Sequence, residues 1–586
     1  MIEIKARVEN HQIIVTFEPF DMSIPNILRS VPGYKYLKKD QSWRWQATPA
    51  AAYRVYKKIT YRPGAKDGDF TYDTSFDLLI NASINASTIT SREKIYPSNS
   101  KLPNDLRFKP WAHQQQGYDL ITNGFAAALH FDMGTGKTKC VIDAITVGIK
   151  ANRVLIVCPK TVISVWKSEF EKHCPTDLRE DWDTLMLHDG TVASRAKQLQ
   201  QALSDDKNLL VVVNYEAVWR TDLAKVILAN DWDMIVCDEI QRIKDPRGKA
   251  SKFLEKISPL AKYRVGLTGH PMPHSPMDIF AQYRFLDPAI FGRSFTQFRN
   301  RYAVMGGFEG RQIVDYVNQG ELSEKIKSIS LQVNKNDVLD LPAVMHIDRE
   351  VELGKDARAV YRELFDTLEA EVKGELVSAR NALTKTLRLQ QIVSGFAKTE
   401  DGREIQLDTS KLDSLEELLS DLPSNEPVSV FCNFRRDIYN VEELCKKLDR
   451  PVSVVMGGRD EVGSLWEPAP GEVAVLQYKS GGLGIDLTAG RYCVLYSSTW
   501  NNGDYRQALA RMDRYGQERK MFYYHLAAAN TVDVTVSKAL QRKQDVVEAV
   551  MNICRNKCAL CETPLTLINR GSLFHTDLCR ICEDDE

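Results

Sequence analysis

The sequence carries almost no net charge, no long apolar run and few cysteines outside its last stretch. Formal net charge is −1 over 586 residues. No global field therefore draws the chain to a polyanion, and any nucleic-acid affinity must come from local basic faces. No apolar run approaches the length of a membrane span. The start, MIEIKARVEN, is charged and lacks the apolar core of an export signal. These absences predict a cytoplasmic protein without a membrane partner, with a bacterial or viral source favoured and the nucleus its place in a eukaryote. Internal repeats and long low-complexity tracts are also missing, so a solenoid is not expected. The length exceeds what one core supports and predicts three to four domains.

Cysteine use is uneven. Seven of the twelve are scattered, several in apolar runs such as VLIVCP and MIVCDE, where a reduced buried thiol is the simple reading. The other five crowd into the last 33 residues. Without an export signal that crowding points to metal rather than disulfides. Cys558-x2-Cys561 and Cys579-x2-Cys582, seventeen residues apart, have the spacing of a four-cysteine zinc ribbon. Two turns, each presenting two thiolates, complete a tetrahedron. Residues 551–586 are too few for a core of their own, so Zn2+ would supply the folding energy.

One further absence lies in FDMGTGKTKC, Phe131 to Cys140. The general phosphate-loop pattern has a glycine where Phe131 stands. The chemistry still fits. GFAAALHF before it reads as a buried strand, and TKCVIDAITVGIK after it carries apolar residues at helical spacing. A strand, a glycine-rich turn and a helix start offer free N–H groups and the positive end of a helix dipole to an anion. Gly134 and Gly136 let the backbone approach, Lys137 reaches the outer phosphates of ATP, and the Thr138 hydroxyl can hold Mg2+. Downstream, WDMIVCDEIQRIKD ends an apolar strand in Asp238-Glu239. An acidic pair at a strand's C-terminal end suits a phosphate site. Asp238 would hold magnesium through water, and Glu239 would position and deprotonate the attacking water. In YRQALARMDRYGQ, Arg511 and Arg514 lie three apart on an expected helix and can face one way. They are candidates for an arginine finger supplied within the chain.

After residue 125 strands and helices alternate, as in parallel sheets. RVLIVCP, NLLVVVNY, WDMIVCDE and YRVGLTG form a first set, and PVSVFCNF, EVAVLQY, RYCVLYS and MFYYHLAA a second. Together with the motifs, this chain resembles the Swi/Snf-type ATPases of helicase superfamily 2, double-stranded-DNA translocases, over about residues 106–547. FKPWAHQQQG looks like their adenine-reading segment, with Gln114 at its glutamine, and FDMGTGKT matches their phosphate loop, which does not require a glycine at Phe131. LIVCPKTVISVWKSEF, NYE, FLDPAIFG, TSKLDSLEELL and STWNNGDYRQALARMDRYGQ also match. The resemblance implies an α/β protein of two tandem RecA-like lobes with helical insertions. It assigns Gln114, Met133, Gly134, Thr135, Gly136, Lys137, Thr138 and Asp486 to nucleotide binding and Glu239, Asp238, Lys137, Arg511 and Arg514 to catalysis. By family position, Lys160, Asn214, Ser480 and Gly481 contact the DNA backbone. Gln241, His270, Asp486, Asn502 and Asp513 depart from the family pattern without removing a phosphate or metal ligand.

Residues 1–62 hold eleven Lys/Arg against five Asp/Glu, with aromatics interleaved in VPGYKYLKKDQSWRWQ. One reading is a surface that stacks on single-stranded bases and grips phosphates. The other is a small β-rich domain with Trp43 and Trp45 in its core, and alternation alone does not separate them. The segment resembles the HARP-type accessory domain of annealing helicases, which would imply fork recognition. The expected limits are an accessory domain at 1–62, a linker with short ordered pieces at 63–107, lobe one at 108–300, a helical connector at 301–408, lobe two at 409–550 and the ribbon at 551–586. The expected activity is movement on duplex or forked DNA, remodelling or reannealing strands, by a monomer whose ribbon can meet a protein partner. The rivals are a strand-separating DNA or RNA helicase and an ATP-gated clamp that does not travel.

Overall fold

A computed structural model describes residues 3–18, 23–62, 65–66, 69–90, 105–306, 312–367, 369–372, 375–378, 382–399, 402–463, 465–478, 485–499 and 502–533. The chain divides into two compact units, with the boundary between Val338 and Leu339.

The first unit opens with a five-stranded sheet. Its elements are β1 (Glu3–Glu9), β2 (Gln12–Glu18), α1 (Ser23–Arg29), β3 (Lys35–Leu37), β4 (Ser42–Gln46), α2 (Pro49–Thr60), β5 (Phe70–Tyr72) and α3 (Thr74–Thr90). The strands run in the order β3-β4-β2-β1-β5. Alternation puts Ile4 and Ala6 of β1, Ile13 and Val15 of β2 and Trp43 and Trp45 of β4 into one core with α2 and α3. The two tryptophans are therefore core residues, as the reading of a small β-rich domain expects. Thr48 caps α2, accepting from Ala51 N, and Pro49 follows at the first helical position.

The segment expected as a linker is ordered over much of its length. β5 pairs in parallel with β1, and α3 packs Phe76, Leu79 and Ile80 into the same core. A buried ion pair of Arg62 and Asp69, 2.7 Å apart, closes the turn between α2 and β5. A sequence of Ser, Asn and Thr hid this helix, because those residues compete for backbone hydrogen bonds and read as loop.

The domain is also seated on the larger lobe that completes the first unit. Gln46 Nε2 donates to Ser258 Oγ at 2.8 Å, and Arg54 donates to the Ala289 and Ile290 carbonyls. Ala289 itself belongs to the first domain's core.

That larger lobe, lobe one, contains α4 (Ala112–Gly124), β6 (Ala126–Phe131), α5 (Lys137–Asp143), β7 (Arg153–Cys158), α6 (Ile163–His173), β8 (Trp182–Leu187), β9 (Asn208–Asn214), β10 (Trp232–Asp238) and β11 (Ala261–Thr268). Its seven-stranded parallel sheet runs Ser330–Val333, β6, β11, β10, β7, β9, β8. Leu209, Val211 and Val213 of β9 enter one core, and Leu210 and Val212 the opposite one. A parallel sheet buried on both faces produces such unbroken apolar runs. The lobe extends past its expected end at 300, because Ser330–Val333 supplies the strand beside β6.

The second unit has its own seven-stranded sheet, ordered Val344–Val351, Met521–Ala528, Tyr492–Leu495, Val428–Cys432, Val473–Gln477, Val452–Met456, Arg459–Asp460. All neighbours are parallel except the last pair. The expected connector at 301–408 thus divides between the units and contributes an edge strand to each. Among the described residues no helix is long and apolar enough to cross a membrane. The body cysteines Cys140, Cys158, Cys174, Cys237, Cys432, Cys445 and Cys493 are all free and buried.

Trp45→Ala should lower the stability of the first unit by about 3–5 kcal/mol. Its ring is fully buried, and its Nε1 donates to Val31 O at 3.3 Å. Thermal melting checks this, and an unchanged midpoint contradicts the core assignment.

Candidate nucleotide site at the strand ends of lobe one

The loop after β6 is shaped by α4. Gln114 Oε1 accepts from Trp111 N at 3.0 Å, and its Nε2 donates to Thr135 O at 3.2 Å. His113 Nε2 lies 2.8 Å from the same carbonyl, and Thr135 Oγ1 donates to Asp132 O at 2.7 Å. With its carbonyls tied inward, the loop is free to turn N–H groups outward. Gly134 and Gly136 take φ of 78° and 89°, a region that costs other residues about 1–2 kcal/mol. A Cβ at Gly136 would also lie 2.3 Å from Gln114 Nε2. Glycine is required there on both counts, whereas Phe131 at the pattern's missing glycine is a buried strand residue.

Gly136 caps α5, and Lys137 and Thr138 form its first turn. Lys137 Nζ donates to Phe131 O at 2.7 Å and to Asp132 O at 3.2 Å. The lysine is therefore held over the loop by carbonyls that a phosphate oxygen can replace. Beside the loop stands the LTGH turn: a Cβ on Gly269 would lie 3.4 Å from Phe131 O.

Asp238 ends β10, two strands from β6 in the same sheet. Trp166 Nε1 of α6 donates to its Oδ2 at 2.9 Å, and the Tyr215 hydroxyl donates to its backbone carbonyl at 2.8 Å. Burial, and after it the charge of Glu239, pushes the Asp238 carboxyl above its ordinary value, while Trp166 and Lys137 pull it back. Lys137 and Asp238 thus act on one another electrostatically, as two parts of one site must. Glu239 adopts φ 53°, ψ 53°, unusual for a residue with a long side chain. Gln241 Nε2 donates to its Oε2 at 2.5 Å.

Other expected contacts fall differently. Lys160 is exposed after β7. Asn214, at the end of β9, is buried, and its Nδ2 donates to Glu216 Oε2 at 2.8 Å, so its side chain is not offered to solvent. In the second unit, Asp486 Oδ1 accepts from Thr488 N at 3.0 Å and Thr488 Oγ1 at 2.7 Å, while its Oδ2 lies 3.6 Å from Arg514 Nε. Arg511 is buried, and its carbonyl accepts from Leu487 N at 3.1 Å. Ser480, Gly481 and all four ribbon cysteines lie outside the described residues, as do the side-chain surroundings of Asn502. Sequence reasoning gave no role to Trp166, Tyr215 or His113. Only their places after a strand or before the loop could have signalled one.

A family model described as SNF2-related domain matches residues 113–396, and one described as Helicase conserved C-terminal domain matches residues 410–516. The uncharacterized ATP-dependent helicase MG018 of Mycoplasma genitalium is 26% identical over 468 residues, covering 76% of this chain and 42% of that protein. The DNA repair and recombination protein RAD54B of Gallus gallus is 22% identical over 537 residues, covering 78% of this chain and 55% of that protein. The chain spans about half the length of these curated relatives. A solved Sulfolobus solfataricus SWI2/SNF2 ATPase core in complex with dsDNA aligns at 21% identity and a TM-score of 0.36, over 77% of this chain and 95% of that one. An overlay that loose carries no argument.

Trp166→Phe keeps most of the packing and removes the hydrogen bond that lowers the Asp238 pKa. Asp238 should then protonate at higher pH, and the acid limb of the nucleotide-hydrolysis profile should move upward while the rate at high pH holds. A pH–rate comparison checks this, and an unmoved limb contradicts the link.

Proposed function

The chain belongs to the SNF2-related family, and from that premise we propose that it is an ATPase that moves on duplex DNA and remodels or reanneals forked and branched DNA. The observation that supports the ATPase reading best is the meeting of Lys137 and Thr138 with Asp238 and Glu239 at the C-terminal end of one parallel sheet. That arrangement holds a polyphosphate on one side and activates water on the other. A name such as DNA repair and recombination protein among the relatives supports DNA as the partner.

Lys137 exchanges the Phe131 and Asp132 carbonyls for phosphate oxygens. Thr138 and Asp238 would hold magnesium, which would shield the phosphate charge. Glu239, steered by Gln241, orients the attacking water and takes its proton. Gln114 reads the adenine from the helix that also braces the loop. Arg511 and Arg514, the latter paired with Asp486, keep the arginine-finger role that the family resemblance implies. Lys160, Ser480 and Gly481 follow the DNA backbone.

Glu239→Gln should keep nucleotide binding and lose about 10²–10⁴-fold in turnover. The assay is ATP hydrolysis with duplex, forked and single-stranded DNA and with RNA. Stimulation by duplex DNA supports the proposal, and stimulation by RNA alone overturns it. A Glu239→Gln enzyme with normal turnover removes Glu239 from its role.

The zinc ribbon of Cys558, Cys561, Cys579 and Cys582 also belongs to this proposal, as a site for Zn2+ and a contact for a protein partner. One zinc per chain should be found by elemental analysis and lost in Cys558→Ser. Metal-free protein overturns the ribbon.

A further inference from the structure

β3 is the edge strand of the first domain's sheet and is three residues long. Tyr34 and Tyr36 are 40% and 39% exposed, while Trp43 beneath them is only 3% exposed. Their ring centroids lie 5.1 and 5.0 Å from that of Trp43. Arg29 stands over the same indole, 5.7 Å from its centroid. Both tyrosines are thus seated on a buried aromatic base with much of their surface open. Lys35, Lys38 and Lys39 surround them and are exposed. Among the described residues none of these three lysines joins an ion pair, while Asp40, next to Lys39 in the chain, pairs with Arg44.

A covering function for Trp43 explains why something apolar lies there. It does not explain two half-open rings within six residues of three unengaged cations. Lysines alone would protect an edge strand. Rings that offer a flat face beside positive charge suit a polyanion whose bases are unstacked, because every base has a π-face to lay on an aromatic ring. Bases in a duplex are stacked on one another and cannot do so.

The position of this surface is fixed. The domain that carries it is held to lobe one through Gln46 and Arg54, and Arg62 and Asp69, flanking the passage from α2 to β5, form a buried ion pair. It is not a module on a loose tether.

We propose that the β3 edge is a platform for single-stranded DNA, on which Tyr34 and Tyr36 stack bases while Lys35, Lys38 and Lys39 hold phosphates. The platform rests on the reading of this chain as a DNA-directed motor and gives it a fixed grip on the unpaired strand of a fork.

The test uses the full chain and fluorescence anisotropy with a labelled thymidine oligomer, a blunt duplex, a fork, and a uridine oligomer of equal length. Tyr34→Leu with Tyr36→Leu keeps an apolar cover on Trp43 and removes the stacking faces. Lys35→Gln with Lys38→Gln and Lys39→Gln leaves the core untouched. Each set should weaken binding to the thymidine oligomer and the fork by roughly tenfold or more. Duplex binding, duplex-stimulated ATPase and melting midpoint should hold. The lysine set should also flatten the salt dependence, reducing the log–log slope by about 2, since each single-strand phosphate contact contributes about 0.7. Unchanged single-strand binding in the lysine set overturns the platform, whatever the tyrosine set does to stability. Equal effects on the uridine oligomer overturn its assignment to DNA. If the native chain shows no duplex-stimulated ATPase but both sets lose single-strand binding, the motor reading falls and the platform stands.

Discussion

A parallel sheet covered on both faces has no room for polar chemistry except beyond the ends of its strands. Lobe one is such a sheet, with alternate residues of β9 and β10 sent into two apolar cores. Apart from Gln114, which reaches the loop from α4, the candidate residues in that lobe obey the restriction. The phosphate loop leaves the C-terminal end of β6, Lys160 follows β7, Asn214 ends β9, Asp238 ends β10, and the LTGH turn ends β11. Because the strands are parallel, those ends lie along one edge, and residues separated by about a hundred positions become neighbours without any loop having to travel.

The same restriction sets the electrostatics. Asp238 sits where the sheet's low-dielectric interior meets the site, so burial raises its pKa, and the Trp166 N–H and Lys137 charge offset part of that rise. Cations at the two sets of candidate residues are each held by local acceptors: Lys137 by two loop carbonyls, and Arg514 by Asp486. Such partners keep the side chains from collapsing into solvent. The loop carbonyls, being neutral, are also weaker acceptors than a phosphate oxygen, so Lys137 can exchange them for one.

Central strands are legible in the sequence because burial on both faces demands continuous apolar runs, and RVLIVC, NLLVVVN and WDMIVCD have few other readings. Edge strands are not. Ser330–Val333 and Val344–Val351 contain polar residues, since an edge has a solvated side, and both look like part of a connector. Gly134, Gly136, Lys137 and the acidic pair are legible because phosphate chemistry fixes their type and spacing. Trp166, Tyr215 and His113 are not, because an aromatic side chain that donates one hydrogen bond to Asp238 or to the loop looks the same in sequence as one that fills a core. Trp43 and Trp45 show the converse. Their alternation with Arg44 suits a stacking surface or a core strand equally well, and the deciding fact, a pair of helices laid over one face of β4, is tertiary.

The first domain is held by polar groups that lobe one has buried for it. Asp287 lies in FLDPAIFG and is wholly buried, with its Oδ1 accepting from Ala289 N at 2.9 Å. Burial raises its pKa, and the Thr48 hydroxyl with the charges of Arg264 and Arg54 opposes that rise. Arg264 is itself buried, donating to the carbonyls of Leu286 at 2.8 Å and Ala261 at 2.7 Å. Removing one member of such a cluster leaves the others desolvated without compensation, which costs more than the pair contributes when intact. An apolar patch would let the domain slide, but directed bonds to the Ser258 hydroxyl and two carbonyls allow one seating. Deleting residues 1–62 would therefore strip Gln46 from Ser258 and the Arg54 charge from the neighbourhood of Asp287, and would also leave β5 without β1. The loss would fall on lobe one's own stability as well as on any surface the domain presents. The exposed lysines of the β3 edge touch neither cluster nor core, so they separate what the domain binds from what the domain holds in place.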